Sequence, residues 1–472
     1  MSRVAIVGGG LSGLATAFYI LKESNRVGLK AEITLLESGP RLGGKISTVA
    51  TQGYHCETGP NGFLDNAPET LDLVDILGIE DRLVRSNDAA RRRFILSGGR
   101  LHQLPEGPLA FLGSDLLTIR GRARVIGELF VPRRRKGASS EDETVASFIR
   151  RRLGSEVLEK LIDPMVSGVY AGDPAKMSIA SCFPKIVALE AEYGGLIRGM
   201  IAKQRAARSE GKEGPGAGPG GTLMSFRHGL QELIDAMAAR LGERARVSAP
   251  VVSLSAFGKG NLSTYEVKME KGDPVVADAV VVAAPAYAAA GIVGSLSPET
   301  SSLLKKIPYS PLSVVHFGYD RADVKHDLNG FGFLVPSSEK RRIIGSLWSS
   351  SIFDERAPSR KVLMTTMVGG ARNPQTARLR TGDLTSVVKA ELQRTIHQSA
   401  PPDFSLITRW ERAIPQYRPG HGRLLKDIDG QAGRHPGLFL TGNAYRGIGV
   451  NDCVRSAVEL APRVVEHLAR RA

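Results

Sequence analysis

A glycine-rich run near the start of the sequence has the residue types and the spacing that bind a diphosphate. It consists of Gly8, Gly9, Gly10, Leu11, Ser12 and Gly13. In such a run the first glycine permits a tight turn, the third lets backbone N–H groups approach the phosphates, and the last lets a helix pack closely against a strand. The positive end of that helix then faces the anion. The run therefore predicts a dinucleotide site.

A carboxylate follows the glycine run at the separation expected of the acid that binds a ribose 2′-hydroxyl. This acid, Glu37, ends an apolar run over residues 31–36. A second loop, which contains Arg41 and the pair Gly43 and Gly44, follows immediately and could fold against the same dinucleotide. An ordinary nicotinamide site does not need such a loop. The sequence has no second strand–glycine–helix unit and no CxxC pair. FAD, reduced directly by a substrate, is therefore the predicted cofactor.

The far end of the chain holds a second glycine-rich connection. The apolar residues 438–440 run into the segment from Gly442 to Asp452, and a helical pattern follows from Cys453. Backbone amides at a glycine-rich helix start suit the electron-rich pyrimidine end of a reduced flavin. Taken alone, the segment is also consistent with a plain strand–helix connection.

Composition narrows the class of protein and of partner. With 472 residues, 42% of them hydrophobic, the chain is long enough for two or three lobes. The formal charge of +15 suits phosphates, carboxylated substrates or acidic lipid headgroups. Basic and aromatic residues do not alternate in a stripe, so we expect no nucleic-acid partner. Three scattered cysteines predict neither disulfides nor a metal site, and without a secretion signal they indicate a cytoplasmic protein.

These segments need a scaffold that brings them together, and the predicted scaffold is a discontinuous α/β fold. The βαβ start and later apolar strands assign residues 1–90, 222–286 and 405–472 to a Rossmann-type FAD-binding domain. Short strands in residues 287–404 predict a mixed-sheet, substrate-binding domain over the flavin. Residues 91–221 are expected to form a mainly helical domain.

Further motifs give the chain an end-to-end resemblance to a known family. They lie at residues 59–63 (GPNGF), 168–172 (GVYAG), 181–184 (SCFP), 330–336 (GFGFLVP), 367–371 (MVGGA), 414–417 (IPQY) and 449–453 (GVNDC). With the glycine runs and Glu37, they resemble protoporphyrinogen oxidase, the oxygen-dependent, FAD-containing enzyme of haem synthesis in the FAD-dependent amine oxidase superfamily. The glycine runs are typical of the whole superfamily, whereas the middle and closing motifs are more specific.

The resemblance implies a set of FAD contacts. They are Gly8, Gly9, Gly10, Leu11, Ser12, Gly13, Glu37, Ser38, Gly43, Gly44, Lys45, Gly59, Pro60, Asn61, Gly62, Val251, Trp410, Ile448, Gly449 and Val450. Val251 would lie on the adenine side, Trp410 on the flavin side, and the last three at the isoalloxazine. From the residues alone, Val251 and Trp410 are equally consistent with ordinary packing. Gly62 stands where the family commonly has serine, and Cys453 lacks the pattern of covalent flavin attachment, so we expect dissociable FAD.

The resemblance also implies substrate contacts. Arg93 matches an arginine that pairs with a propionate carboxylate, for which a guanidinium is well suited. Phe331 and Leu334 would sandwich a pyrrole ring, and Gly168 and Met367 would shape the pocket wall. From the residues alone, Arg93 also fits a solvated basic run, and the other four fit core packing.

The activity implied is the oxidation of protoporphyrinogen IX to protoporphyrin IX by an FAD-dependent oxidase that acts on CH–CH bonds, with O₂ reduced to H₂O₂. Hydride would leave the methylene bridges in three rounds separated by tautomerisation. The first alternative is oxidation of coproporphyrinogen III to coproporphyrin III, followed by an amine oxidase or carotenoid desaturase. A non-catalytic flavin carrier is the alternative of another class. No catalytic base is assigned, although His316 and His421 are candidates.

One segment indicates contact with a membrane surface. Between residues 109 and 136, apolar residues alternate with a cluster of arginines. Apolar anchors beside basic residues are typical of peripheral, interfacial binding, here on the cytoplasmic side of the cell membrane. A helical hairpin with a solvated charged face is the alternative. A homodimer is also compatible with the sequence.

Overall fold

The computed structural model describes residues 1–104, 115–133, 142–209, 221–258 and 263–471. The strands are β1 (Ser2–Val7), β2 (Ala31–Leu36), β3 (Thr48–Thr51), β4 (Tyr54–Glu57), β5 (Phe63–Leu64), β6 (Leu83–Arg85), β7 (Arg93–Ser97), β8 (Arg100–Gln103), β9 (Leu223–Phe226), β10 (Ala245–Arg246), β11 (Val251–Phe257), β12 (Thr264–Met269), β13 (Val275–Ala277), β14 (Ala279–Val282), β15 (Tyr309–Asp320), β16 (Gly332–Leu334), β17 (Ile343–Trp348), β18 (Lys361–Gly369), β19 (Phe404–Pro415) and β20 (Leu438–Leu440).

The α-helices alternate with these strands along the chain. They are α1 (Leu11–Arg26), α2 (Pro68–Leu77), α3 (Ile119–Ile126), α4 (Val145–Arg152), α5 (Ser155–Val157), α6 (Asp163–Tyr170), α7 (Ile179–Cys182), α8 (Pro184–Tyr193), α9 (Leu196–Ser209), α10 (Gln231–Leu241), α11 (Ala286–Ile292), α12 (Pro298–Leu304), α13 (Ser349–Ile352), α14 (Pro374–Ala377), α15 (Thr381–Ile396), α16 (His421–Ala432) and α17 (Val450–Ala469). In the described parts of the chain, no helix is both long enough and apolar enough to cross a membrane.

A five-stranded parallel sheet carries the dinucleotide motif. Its strand order is β10-β2-β1-β14-β20, so the first strand lies at the centre. Val4 to Val7 of β1 are buried, as expected of a parallel strand covered on both faces. Helices α1 and α17 pack together on one face of this sheet. The predicted α/β class with a Rossmann-type FAD-binding fold is thus confirmed.

A seven-stranded mixed sheet lies over the first one. Its order is β19-β15-β18-β17-β16-β7-β8, and all pairs except β16 with β7 are antiparallel. This sheet contains the strands predicted within residues 287–404, so the mixed sheet is confirmed. Helix α15 packs on the face turned away from the site, through a core that includes Phe317, Trp348 and Leu392.

Two segments take part in this sheet that the sequence placed elsewhere. Residues 93–103, which fall in the part expected to be mainly helical, form β7 and β8, and residues 405–415, expected in the dinucleotide unit, belong to the edge strand β19. The sequence did not indicate that these strands join the mixed sheet, because they pair with residues far away in the chain, such as Gly332 with Arg93. Pairing between such distant strands leaves no local pattern in the amino-acid sequence. The division of the chain into three domains otherwise stays a prediction.

The described residues from 115 to 209 are mainly helical, as expected. Helices α3 to α9 surround a small core of their own. A fully buried ion pair fastens the α3 region to that core, because Arg152 lies 2.8 Å from Glu128 and both side chains have no exposed surface. Glu128 also accepts hydrogen bonds from the backbone N–H groups of Leu196 and Ile197 at the start of α9.

Candidate cofactor and substrate site

The glycine run forms a turn that closes tightly between β1 and α1. Gly8 has φ +112°, which favours glycine, and a Cβ on Gly13 would lie 1.9 Å from the Gly8 carbonyl oxygen. Gly10 precedes the first residue of α1 and has an extended backbone. A Cβ there would meet nothing nearer than the Cα of Gly44 at 3.9 Å, so this side of the turn is open to a ligand.

Glu37 is held at the end of β2 by backbone N–H groups. Its carboxylate accepts hydrogen bonds from the N–H of Gly9 and of Gly39, both at 2.7 Å, and from the Ser38 hydroxyl at 3.2 Å. These bonds orient the carboxylate beside the glycine turn, while Oε2, which accepts only the Gly9 N–H, retains capacity for another donor. The acid is therefore placed where the sequence motif predicted it.

The second loop folds against the first, as the sequence predicted, and Arg41 holds it in shape. The Gly43 N–H donates to the Gly9 carbonyl at 2.8 Å. The Arg41 guanidinium donates to the carbonyls of Leu42, Gly44 and Ile46, at 3.1, 2.7 and 3.0 Å. Arg41 therefore satisfies the carbonyls of its own loop.

One large cavity, which we call the main cavity, joins the two sheets and has a volume of about 1280 Å³. Single-ligand pockets usually have roughly 300 to 1,000 Å³, so the main cavity has room for more than one ligand. Nineteen predicted site residues line it: Gly8, Gly10, Leu11, Ser12, Glu37, Ser38, Gly43, Gly44, Lys45, Gly59, Pro60, Asn61, Gly168, Val251, Met367, Trp410, Ile448, Gly449 and Val450.

The other predicted residues lie just outside this lining. Gly9 and Gly13 form the far side of the glycine turn, and Gly62 packs on the Met224 carbonyl, which a Cβ would approach to 2.4 Å. Leu334 lies against Gly168, 2.8 Å from where a Cβ would be.

Arg93 and Phe331 form a stacked pair at one side of the main cavity. The Arg93 guanidinium carbon lies 5.3 Å from the centre of the Phe331 ring. Phe331 in turn packs in the same apolar cluster as Met367, which does line the main cavity. The structure therefore places Gly168 and Met367 in the lining of the main cavity, and Phe331, Leu334 and Arg93 close behind that lining.

Lys45 is the cation that projects from the second loop into the main cavity. Its ammonium donates to the Ala413 carbonyl and lies 5.2 Å from the centre of the Tyr309 ring. Burial without a carboxylate partner lowers the pKa of Lys45 to about 8, since desolvation disfavours the charged form.

We expect the affinity of the FAD-free protein for FAD to fall as pH rises through about 8, because Lys45 then loses the charge that would attract the diphosphate. Bound diphosphate would raise the pKa of Lys45, so the loss should approach about tenfold per pH unit above that point. Titration of FAD-free protein with FAD, followed by flavin fluorescence, measures this.

The variant Lys45→Met should bind FAD more weakly at neutral pH and show a flatter pH profile. The control variant Lys305→Met removes an exposed lysine from the end of α12 and should behave as the parent does. A parent protein whose affinity is the same on both sides of pH 8 would contradict the assignment.

A bulge in β19 shapes the side of the main cavity that Trp410 and Ala413 line. The pairing with β15 passes from Ser310 with Ile414 to Leu312 with Trp410, so β19 carries two extra residues there. Bulges of this kind re-aim side chains beside active sites. Here the bulge exposes the Ala413 carbonyl to Lys45, and the Trp410 indole N–H donates to the Thr58 carbonyl at 2.7 Å.

The glycine-rich connection after β20 is fixed by residues that were not among the predicted contacts. The Tyr417 hydroxyl donates to the Asn443 carbonyl at 2.6 Å and accepts from the Gly447 N–H at 3.1 Å. At the start of α17, Asp452 accepts from the Gly449 N–H at 3.0 Å. The sequence signal for Tyr417 was the motif at residues 414–417, whose role only the structure shows.

The two candidate histidines have structural positions. His316 is fully buried and its Nε2 lies 3.1 Å from the Glu57 carbonyl, and burial lowers its pKa to about 4. His421 stacks on Tyr417 at 4.2 Å between ring centres, with its Nε2 3.1 Å from the Tyr445 carbonyl. Neither residue lines the main cavity.

The arrangement of a glycine turn, a carboxylate and a large cavity between two sheets also occurs in known proteins. The family described as flavin containing amine oxidoreductase matches residues 11–465 of the chain. The chain belongs to this family. As a flavin containing amine oxidoreductase, it has FAD as its cofactor, which confirms the prediction from the glycine run and Glu37.

The chain is similar to named relatives and to solved structures over nearly its full length. The chain is 32% identical over 462 residues to coproporphyrinogen III oxidase of Bacillus subtilis, covering 96% of this chain and 95% of the relative. It is 35% identical to the chloroplastic protoporphyrinogen oxidase of Oryza sativa, covering 99% and 89%. The crystal structure of a putative protoporphyrinogen oxidase from Exiguobacterium superposes with a TM-score of 0.81 at 27% identity, covering 98% and 99%.

The residues of the main cavity fit FAD. The open side of Gly10 leaves space next to the helix start for a diphosphate, and the preset Glu37 carboxylate suits a ribose diol. The backbone amides of the first turn of α17, after Gly449, suit the electron-rich end of the isoalloxazine. The thiol of Cys453 is buried, which raises its pKa to about 11, so it is a poor nucleophile for covalent attachment.

Proposed function

We propose that this oxidase converts protoporphyrinogen IX to protoporphyrin IX with O₂ as the electron acceptor, in haem biosynthesis. The observation that carries the proposal is the size and chemistry of the main cavity, which extends from the glycine turn to an apolar wall at Gly168 and Met367. The names of relatives matched over nearly their full length support the same substrate class. A cavity that served only FAD would need no such wall.

We propose the following cofactor contacts. The glycine turn and Lys45 would hold the diphosphate, and Glu37 with Ser38 would hold the adjoining ribose. Val251 would lie beside the adenine. Gly59, Pro60, Asn61, Gly62 and Trp410 would border the flavin ring on one side, and Ile448, Gly449 and Val450 would meet its pyrimidine end.

The chain's own side chains would orient the substrate and exclude water. Phe331 and Leu334, which lie behind the lining at Met367 and Gly168, would sandwich a pyrrole ring, and Arg93, supported by its stacking on Phe331, would bind a propionate. When bound, FAD supplies the two-electron acceptor for the substrate C–H bond and passes the electrons to O₂. In each of the three rounds one O₂ would become one H₂O₂. No residue is assigned as a base.

The test is anaerobic mixing of the purified holoenzyme with protoporphyrinogen IX, followed by the absorbance of the oxidised flavin. We expect bleaching, and recovery of the absorbance with H₂O₂ release when air is admitted. Bleaching by an amine or a polyene and not by porphyrinogens would overturn the proposal. A flavin that no substrate bleaches would indicate a non-catalytic carrier.

Coproporphyrinogen III is the second candidate substrate, and the same experiment tests it. The specific observation in its favour is a chamber beside the main cavity that three arginines line. Coproporphyrinogen bears two more carboxylates than protoporphyrinogen. Faster bleaching by coproporphyrinogen would reverse the order of the two candidates.

We also propose that the region of α3 rests on an anionic, cytoplasmic membrane surface. Ile119 and Phe130 are 84% and 83% exposed, and the exposed Arg120 and Arg133 lie in the same segment. Part of the predicted basic cluster, residues 134–136, lies outside the described residues, as do residues 109–114. Exposed apolar side chains beside cations suit lipid headgroups. The homodimer stays a prediction.

The double variant Ile119→Ser and Phe130→Ser should sediment with vesicles that contain anionic lipid about tenfold more weakly than the parent, because two interfacial anchors are lost. The control variant Phe257→Ser replaces an exposed aromatic residue on β11, far from α3, and should bind as the parent does. Equal sedimentation of the double variant and the parent would contradict the proposal.

A further inference from the structure

A second cavity adjoins the wall of the main cavity that would face the substrate. It has a volume of about 290 Å³, and we call it the side chamber. Ser167, Ala171 and Ile344 line both cavities, so the two are neighbours that share one wall. The other side of the side chamber is formed by Arg341, Arg342 and the residues that follow β18.

A bulge and a tightly packed glycine shape the wall between the side chamber and the main cavity. The pairing of β17 with β18 passes from Ile343 with Val368 to Gly345 with Met367, which makes Ile344 an extra residue. This bulge puts Ile344 in the apolar cluster of the main cavity, while Ile343 stays in the core behind the sheet. Gly370, with φ +79°, packs so closely that a Cβ would lie 2.8 Å from the Ala171 carbonyl.

The arginines of the side chamber differ in how their charges are balanced. Arg372 pairs with the buried Asp163 and with Asp173, and Arg341 pairs with Glu391 at 3.1 Å. Both guanidinium groups are thereby held in place. Among the described residues, the guanidinium of Arg342 has no ion pair, and its side chain is exposed at the rim.

The side chamber and Arg93 lie at opposite ends of the part of the mixed sheet that would face the substrate. Arg93 on β7 pairs with Gly332 on β16, and Gly332 pairs in turn with Leu347 on β17. Ile344 lies three residues from Leu347 along β17. With strands about 4.8 Å apart and a rise of about 3.4 Å per residue, Ile344 is roughly 14 Å from Arg93. A tetrapyrrole macrocycle with carboxylates on opposite sides spans a distance of this order.

We propose that the side chamber is a second carboxylate subsite, in which Arg342 binds a propionate of the substrate on the side opposite Arg93. This inference rests on the proposed function. Protoporphyrinogen carries its two propionates on adjacent pyrrole rings, so it places carboxylates on one side only. Coproporphyrinogen carries one on every ring and can fill both subsites. Arg342 is therefore a residue that determines specificity between the two porphyrinogens.

The test compares steady-state oxidation of both porphyrinogens by the parent holoenzyme and by Arg342→Gln. We expect KM for coproporphyrinogen to rise about tenfold in the variant, because a charge-assisted hydrogen bond is lost. KM for protoporphyrinogen should change less than about twofold by the same argument, since no carboxylate reaches the side chamber. Binding of coproporphyrin to the oxidised holoenzyme, followed by porphyrin fluorescence, should weaken in parallel without any turnover.

Two matched variants make the test specific. Lys340→Gln removes a neighbouring exposed cation that does not line the side chamber, so it should leave both substrates unaffected. Arg342→Lys keeps the charge and should restore part of the affinity for coproporphyrinogen. If the parent oxidises neither porphyrinogen, the proposed function fails. If it oxidises them but Arg342→Gln affects both substrates equally, or neither, the side chamber is not a carboxylate subsite.

Discussion

Replacing Gly13 by alanine is expected to give a protein that is purified without its yellow colour and binds FAD at least about a hundredfold more weakly. The reason is geometric, because the new Cβ would lie 1.9 Å from the Gly8 carbonyl oxygen. Helix α1 would have to move away from β1, and the N–H groups that face the diphosphate would move with it. Flavin absorbance of the purified protein and titration of the FAD-free form measure the effect.

The matched control is Gly430→Ala in α16. Gly430 also lies inside a helix, but nothing stands within 4 Å of the Cβ that would be added there. That variant should retain FAD and be slightly more stable, since alanine favours a helix interior by roughly 0.5 to 1 kcal/mol. If Gly13→Ala keeps a full complement of FAD, the glycine turn does not position the cofactor as described.

Replacing Arg152 by methionine is expected to lower the free energy of unfolding by about 3 to 5 kcal/mol, because it leaves the buried Glu128 carboxylate without its cation. Both side chains of the pair are fully buried. Arg152 also donates to the carbonyls of Val131 at 2.9 Å and Gly194 at 2.7 Å, which would lose their partner. Urea unfolding, followed by far-UV circular dichroism, gives the change.

The control is Arg26→Met, which breaks the exposed pair with Glu23 and should leave the urea midpoint unchanged. FAD content gives a second readout for Arg152→Met, because the pair lies outside the lining of the main cavity. The variant should therefore be less stable but still yellow under native conditions. Unchanged stability would show that the α3 region is not fastened through this pair.

The geometry of the glycine turn and the place of Glu37 were largely predictable from the sequence because their determinants are local. The turn from Gly8 to Gly13 depends on glycine spacing within one strand–helix connection, and Glu37 follows at the end of the next strand. The second loop with Gly43 and Gly44 belongs to the same short stretch of chain. In such motifs, backbone geometry requires particular residues at fixed separations.

The substrate side was less predictable because it is built by pairing between distant segments. Arg93 pairs with Gly332, and the Lys45 ammonium donates to the Ala413 carbonyl. No periodic pattern in the sequence predicts either contact. Two β-bulges decide which side chains face the main cavity, and a bulge has no dependable sequence signature. The side chamber at Arg342 depends on one of them.

By itself, the sequence determined the α/β class, FAD as the cofactor and the family resemblance. Only the tertiary structure showed that β7, β8 and β19 belong to the mixed sheet, that Arg41 and Tyr417 hold loops, and that Arg152 is buried. The physical reason is the range of the interactions. Helix, turn and glycine preferences act over a few residues, whereas burial, ion pairing and strand register are fixed only when distant segments pack together.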